Sequence, residues 1–367
     1  MNWAEIRREF PALSHWTYLD SATYGQMPRR AVEAVAQHFA RRDETACSDH
    51  LEWFDDADRL RGLIGQLIHC FPEDIAFASS ASQALAVLLN GIRWRPGDQT
   101  LALEGEFPNN LYAPGCVSGV EFIQTSWERF YESVNERTRL VLMSTANYST
   151  GFLPPLEEVS RYLHERGILF YLDGTQSLGA LRFDVQRVRP SMLAVHGYKW
   201  MLCPTGAAFF YVDPELRGSM IPNVVGWRSD KGWRNVNSLN HGVPEFKDTA
   251  ERYEGGMIPF ALLCAMEASV AMMLEIGPEH IEARVHELAG RVRAILCDLG
   301  ATIANPNSHI VAARFEGADV ARIAAELRSD HVAVSARHGR LRVSAHFYND
   351  ESDLDRFQRE LRDKLGR

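Results

Sequence analysis

The sequence predicts an α/β protein: a large domain built on a mostly parallel sheet covered by helices, followed by a small α+β C-terminal domain. Three observations lead there. The chain has 367 residues, more than the roughly 250 to 300 at which a single hydrophobic core stops growing, so a large unit with a smaller companion is expected. From about residue 70 to 212, short unbroken apolar runs alternate with helix-like stretches, as strands buried on both faces do when helices connect them. After residue 256 the pattern turns to long helical stretches, then short strands and a closing helix.

In chain order the apolar runs are IAFA, TLALEG, EFIQT, LVLMST, ILFYLDG, MLAVHG and GAAFFYV, which makes a seven-stranded sheet. SQALAVLLNGI and LEEVSRYLHERG read as covering helices. Residues 213 to 256, rich in Gly, Trp, Arg and Asn, read as long loops able to line a site. Then come a helix over 260–276, a second over 278–299 opened by Pro278, strand IVAARF, helix DVARIAAELRS, strands HVAVSA and RLRVSA, and a helix from about Asp353. The expected division is a large domain over 15–258 and a small one from 1–14 and 259–367.

With 46% hydrophobic and 24% charged residues, the composition is that of an ordinary globular protein. A net charge of -9 supplies no basic face, which sets nucleic acid aside as a partner. The six cysteines (Cys47, Cys70, Cys116, Cys203, Cys264, Cys297) form no C-x-x-C pair and no zinc spacing with histidine. They read as thiols in a reducing compartment, and no metal is expected. MNWAEIRREF has no apolar core, so a cytoplasmic location is expected. The apolar stretch Phe260 to Gly277 is interrupted by Glu267 and Glu275 and reads as a buried helix, not a membrane span.

Ligands of open α/β sheets bind at the carboxyl ends of strands. Asp173 ends ILFYLD, which places a carboxylate there, although metal- and nucleotide-binding proteins also carry an acid at this point. Lys199, in HGYKW, lies between two buried strands. Either it snorkels out at a strand end, or desolvation lowers its pKa until the neutral amine can attack an aldehyde. The residues alone leave both readings open.

Taken together, the motifs resemble the class V aminotransferases among fold-type I pyridoxal-phosphate (PLP) enzymes, a family that includes cysteine desulfurases, selenocysteine lyases, kynureninases and isopenicillin N epimerase. YLDSATYG (18–25), FASSASQAL (77–85), EFPNN (106–110), STANYSTGFLPPL (144–156), DGTQSLGA (173–180), HGYKWMLCPTGAAFFYV (196–212), RYEGG (252–256) and RLRVSAHFYND (340–350) match in order and spacing across nearly the whole chain.

The resemblance implies a PLP enzyme acting at the α-amino group or α-carbon of an amino acid, most simply an aminotransferase. A C–S (β-elimination) lyase, an epimerase or an inactive binding module are the alternatives. By the same resemblance Lys199 forms the Schiff base with PLP and Asp173 pairs with the pyridinium nitrogen. Gln176 and Asn147 bond the ring's 3-oxygen, and Phe107 stacks on the ring or remains a core residue. Ala81 and Ser82 hold phosphate at a helix N-terminus, with Ser82 also able to act as N-cap. His196 and Tyr198 add phosphate contacts. Arg342, with Asn147, binds the substrate carboxylate, unless its strand turns it to solvent. A homodimer with its site at the interface is implied, the stretch around Trp227, Arg228 and Trp233 being the candidate to cross over.

The pattern also departs from the family. No cysteine lies between Cys297 and Arg342, where desulfurases carry a nucleophilic thiol, which disfavours persulfide chemistry. Ala81, His196 and Met257 replace hydroxyl residues of the phosphate cup, and Gln83 replaces an acid.

Overall fold

The computed structural model describes residues 1–366. Three layers around one sheet position the site. The strands are β1 (Thr17–Tyr18), β2 (Ile75–Ala78), β3 (Gln99–Leu103), β4 (Glu121–Thr125), β5 (Thr138–Ser144), β6 (Leu169–Asp173), β7 (Met192–His196) and β8 (Ala208–Val212). The sheet of seven has the order β2-β8-β7-β6-β5-β3-β4. It is parallel except at β8, which runs against both β2 and β7. All but the edge strand β4 are buried along nearly their whole length. That burial explains why they are unbroken Val, Leu, Ile and Phe runs and not alternating ones.

The C-terminal unit holds β9 (Thr302–Ile303), β10 (Val311–Arg314), β11 (Val332–Ala333), β12 (Ser335–Arg337) and β13 (Arg340–Val343). Four of these form an antiparallel sheet in the order β12-β13-β10-β9. The segment HVAVSA, expected as one strand, is two. Val332–Ala333 pairs in parallel with Thr17–Tyr18, and Ser335–Arg337 opens a hairpin with β13. Asp20 bridges Ser344 in the same direction. Residues 17–20 are therefore tied by backbone pairing to the C-terminal segment.

The helix Phe260–Ile276 packs Leu263, Met266, Val270 and Met273 into the main core, together with Trp53, Phe54 and Ile64 from the helix Glu52–Ile68. Its packing thus ties it to helices that precede the sheet strands in the chain. No single helix among the described residues is long and apolar enough to cross a membrane. The next helix, Pro278–Asp298, bends away from it by 83°.

The loop 213–256 encloses a buried ionic cluster. Arg228, only 1% exposed, meets Glu251 at 3.0 Å and Glu254 at 3.1 Å, and Arg61 meets Glu254 at 2.7 Å. Arg228 and Trp233 pack on Phe54 of the same chain, so only Trp227 of the proposed crossing group is offered outward.

Gly25 lies where the N-terminal strap crosses the lysine loop, its N–H donating to Tyr198 O at 2.9 Å. A Cβ there would stand 1.9 Å from Lys199 O. Gly25→Ala is expected to cost about 3 kcal/mol by overpacking. Denaturant unfolding will show this as a lowered midpoint.

Candidate active site

The carboxyl ends of β5, β6 and β7 lie side by side, Ser144 opposite Asp173 and Asp173 opposite Ala194. One cleft opens above them. Lys199, Asp173, Gln176, Ala81, Phe107, His196 and Tyr198 all line it. The amine and the carboxylate that sequence reasoning paired therefore face the same space.

Lys199 is 6% exposed, and its Nζ makes no hydrogen bond or ion pair among the described residues. It lies 5.4 Å from the ring centres of Phe107 and Tyr198. Burial lowers its pKa from 10.5 to about 8, with Asp173 opposing the shift and Arg342 and Arg337 adding to it. This decides between the two sequence readings: the lysine does not snorkel to water. The loop bearing it is fixed from three sides. Tyr198 O accepts from Gly25 N, Trp200 O accepts from His346 Nε2 at 2.8 Å, and Leu202 O accepts from Ser269 Oγ at 3.1 Å. These contacts hold Leu202 at a φ of 59°, a conformation that costs a non-glycine residue about 1–2 kcal/mol.

Asp173 accepts from Thr175 N at 2.9 Å through Oδ1, and Thr175 Oγ1 in turn accepts from His196 N at 3.1 Å. Gln176 is oriented by its partners. Trp200 Nε1 can only donate, so the atom it meets at 3.1 Å is the amide oxygen, which makes Nε2, bonded to Ala22 O at 3.0 Å, the donor end. One N–H of that amide remains. His196 is pinned likewise: Gly206 N donates to its Nε2 at 3.3 Å, so the ring proton sits on Nδ1. Burial, reinforced by Lys199, lowers its pKa to about 4, and His196 is a neutral donor at physiological pH.

Three expected site residues stand outside the cleft. Ser82 is exposed on the first turn of the helix Ala81–Gly91, and the N-cap is Ser80, whose Oγ accepts from Gln83 N at 3.1 Å. Gln83 reaches back to Ser79 N at 2.7 Å, so its amide does the capping work of the acid it replaces. What Ala81 and Ser82 offer is backbone N–H, since the first donors of a helix lack intrahelical acceptors. Asn147 lines the neighbouring cleft instead. Its Oδ1 accepts from Ser149 N and Thr150 N, both at 3.0 Å, and its Nδ2 donates to Gly105 O at 2.9 Å. The oxygen is taken up by its own loop and one N–H by Gly105 O, which leaves one N–H, and the side chain stands in a cleft beside the one that Lys199 lines.

Arg342 is neither solvent-facing nor free. At 1% exposure it bonds Ser335 Oγ at 3.0 Å, Tyr148 O at 2.6 Å, Asp20 Oδ1 at 3.3 Å and Thr23 Oγ1.

Sequence reasoning passed over Asn109, Ser144, Tyr148 and Thr175, which also line the cleft. All four lie inside or next to matched motifs, and position within those motifs was the available signal. It also missed Glu106, fully buried and holding Ser144 N at 2.8 Å and Asn110 Nδ2 at 3.1 Å, with its pKa raised by burial.

The residues fit PLP. A buried amine with no partner suits an aldehyde, a buried carboxylate faces it across the cleft, Phe107 supplies a ring, and a helix N-terminus with neutral His196 supplies phosphate donors. Fold and cleft together define a PLP-dependent enzyme of fold-type I.

The sequence profile described as "Aminotransferase class-V" matches residues 17–357. The chain belongs to this family. It is 24% identical to a probable cysteine desulfurase of Methanothermobacter thermautotrophicus, over 100% of this chain and 99% of that one. It is 25% identical to the isopenicillin N epimerase of Streptomyces clavuligerus, over 97% and 96% of the two chains. A C-DES variant solved with glycine covalently linked to its PLP superposes with a TM-score of 0.89 at 20% identity, over 97% of this chain and 99% of that one.

Proposed function

We propose that the protein is an aminotransferase acting on an amino acid, with Lys199 as the group that takes the α-proton and returns it. The observation that carries this reading is the convergence of the unpaired Lys199 amine and the Asp173 carboxylate on one cleft. PLP, when bound, supplies the electron-accepting ring that makes an amino acid's α-proton removable. Asp173 would hold the ring nitrogen protonated, the free N–H of Gln176 would bond the ring oxygen, and Phe107 would pack on the ring. Ala81 N, Ser82 N, His196 Nδ1 and Tyr198 would hold the phosphate. Lys199, neutral above about pH 8 in the free protein, is suited to move a proton between two carbon positions on one face.

A C–S lyase is the second reading, favoured by the desulfurase relatives. The thiol route of desulfurases has no residue to serve it: β12 and β13, with His338 and Gly339 between them, occupy the segment before Arg342, and no cysteine lies there. We further read the enzyme as a cytoplasmic homodimer. All six cysteines are free thiols, which suits a reducing compartment. Ile221, Val225, Trp227, Val243 and Met257 place exposed apolar side chains along one loop region, a surface for a second copy.

The test is a panel of single amino acids mixed with the PLP-loaded protein. Transamination gives one equivalent of keto acid with a lasting change of the absorption spectrum, and turnover resumes on adding a keto acid. Catalytic release of pyruvate and sulfide from cysteine or cystine would establish the lyase instead. Silence toward every amino acid would overturn both.

A further inference from the structure

We propose that Arg337 holds the substrate carboxylate jointly with Arg342, and that Thr23 sets the two guanidinium groups side by side. The inference deepens the amino-acid reading above and rests on it.

Arg337 is the last residue of β12, and β13 begins at Arg340. The two strands pair antiparallel with only His338 and Gly339 between them, at φ of 47° and 71°. A two-residue turn with both φ positive matches the twist of the strands and leaves the hairpin little freedom. Its tip is fastened to the cleft, because a ring nitrogen of His338 lies 2.7 Å from the hydroxyl of Tyr148. Tyr148 lines the Lys199 cleft and stands edge-on to Phe107 at 5.3 Å. The hairpin thus brings Arg337 to the rim of the site.

Both arginines converge on one hydroxyl. Thr23 Oγ1 accepts from Arg342 and, at 3.2 Å, from Arg337, while donating to Asp20 Oδ1 at 2.9 Å. Their charges are balanced unequally. Asp20, its side chain 2% exposed, faces Arg342 at 3.3 Å. Arg337 bonds only Ala336 O at 2.8 Å and Thr23, and has no carboxylate within 4.0 Å among the described residues. One cation of the pair is neutralised from within, and the other lacks an anion.

Donor supply points the same way. A guanidinium has five N–H groups, and a two-pronged carboxylate contact needs two of them. Arg342 directs four at Ser335, Tyr148 O, Asp20 and Thr23, which leaves one. Arg337 uses two and keeps three. A single carboxylate placed between them completes the donors of both and the charge of Arg337. Arg342 alone, buried and largely spent, cannot form the fork.

The test is an absorption titration of the holoenzyme with the most responsive amino acid of the panel and with the amine obtained by removing its carboxyl group. Arg337→Met is expected to weaken amino-acid binding about 10- to 100-fold, the loss of a charge-assisted contact. Binding of the amine should stay within about twofold, and Arg337→Lys should recover part of the loss. Unfolding midpoints should hardly move, because Arg337 is only half-buried. Unchanged amino-acid binding in Arg337→Met, or equal losses for amino acid and amine, would overturn the proposal. If wild type binds neither compound, the amino-acid reading itself fails. If wild type binds both and the variant follows it, only this inference does.

Discussion

Replacing Lys199 by methionine is expected to remove turnover and, at the same time, to make the cofactor-free protein more stable. The loss comes from deleting both the attachment point for PLP and the proton-transfer group, and should reach about 10⁴-fold for the second role alone. The gain comes from the environment of the lysine. Burial has pulled its pKa to about 8 from 10.5, a penalty of about 3 kcal/mol on the charged form.

The sign across pH follows from proton counts. Between about pH 8 and 10.5 the unfolded chain holds a proton on this residue and the folded chain does not, so wild-type stability rises with pH over that window. Below pH 8 the folded protein carries the charge at full cost. Lys199→Met should therefore exceed wild type by about 3 kcal/mol at pH 7, and the margin should shrink as pH climbs toward 10.5. Denaturant titrations of both proteins stripped of PLP, at three pH values, would check it. A margin that stays constant with pH would show that the lysine is not desolvated as described.

Asp173→Asn is expected to leave the fold intact and to lower kcat/KM by about 10²- to 10³-fold, the range for removing a preorganised electrostatic partner. The substitution is near-isosteric, and an asparagine oxygen can still accept from Thr175 N, now 2.9 Å from Asp173 Oδ1. What it cannot do is stabilise a proton on a ring nitrogen. The defect should therefore fall on the proton-removal step, seen as a larger isotope effect with α-deuterated substrate. A variant that unfolds at the same denaturant concentration as wild type and keeps full activity would mean that Asp173 does not serve the cofactor.

Burial explains why much of this was legible beforehand. A strand covered on both faces must be apolar throughout, so β2, β3, β5, β6, β7 and β8 announced themselves as runs. An acid ending one run and a lysine following another then marked the carboxyl edge of the sheet. The short strands escaped. Thr17–Tyr18 and Thr302–Ile303 are two residues each, too brief for any period to show, and they exist because they pair with Val332–Ala333 and with β10. The helix Phe260–Ile276 looked like the start of a new unit because its apolarity does not reveal which core it enters.

By itself the sequence determined which chemistry is present and roughly where along the sheet it stands, since residue type and apolar patterning are local properties. Tertiary structure alone decided what each polar group still has to give. Gln176 keeps one N–H because Trp200 and Ala22 occupy its other atoms, Asn147 has its oxygen consumed by its own loop, and Arg337 stays uncompensated because Asp20 turns to Arg342. Hydrogen-bond capacity is finite and is used up by neighbours distant in the chain, so it can be counted only after the chain has folded.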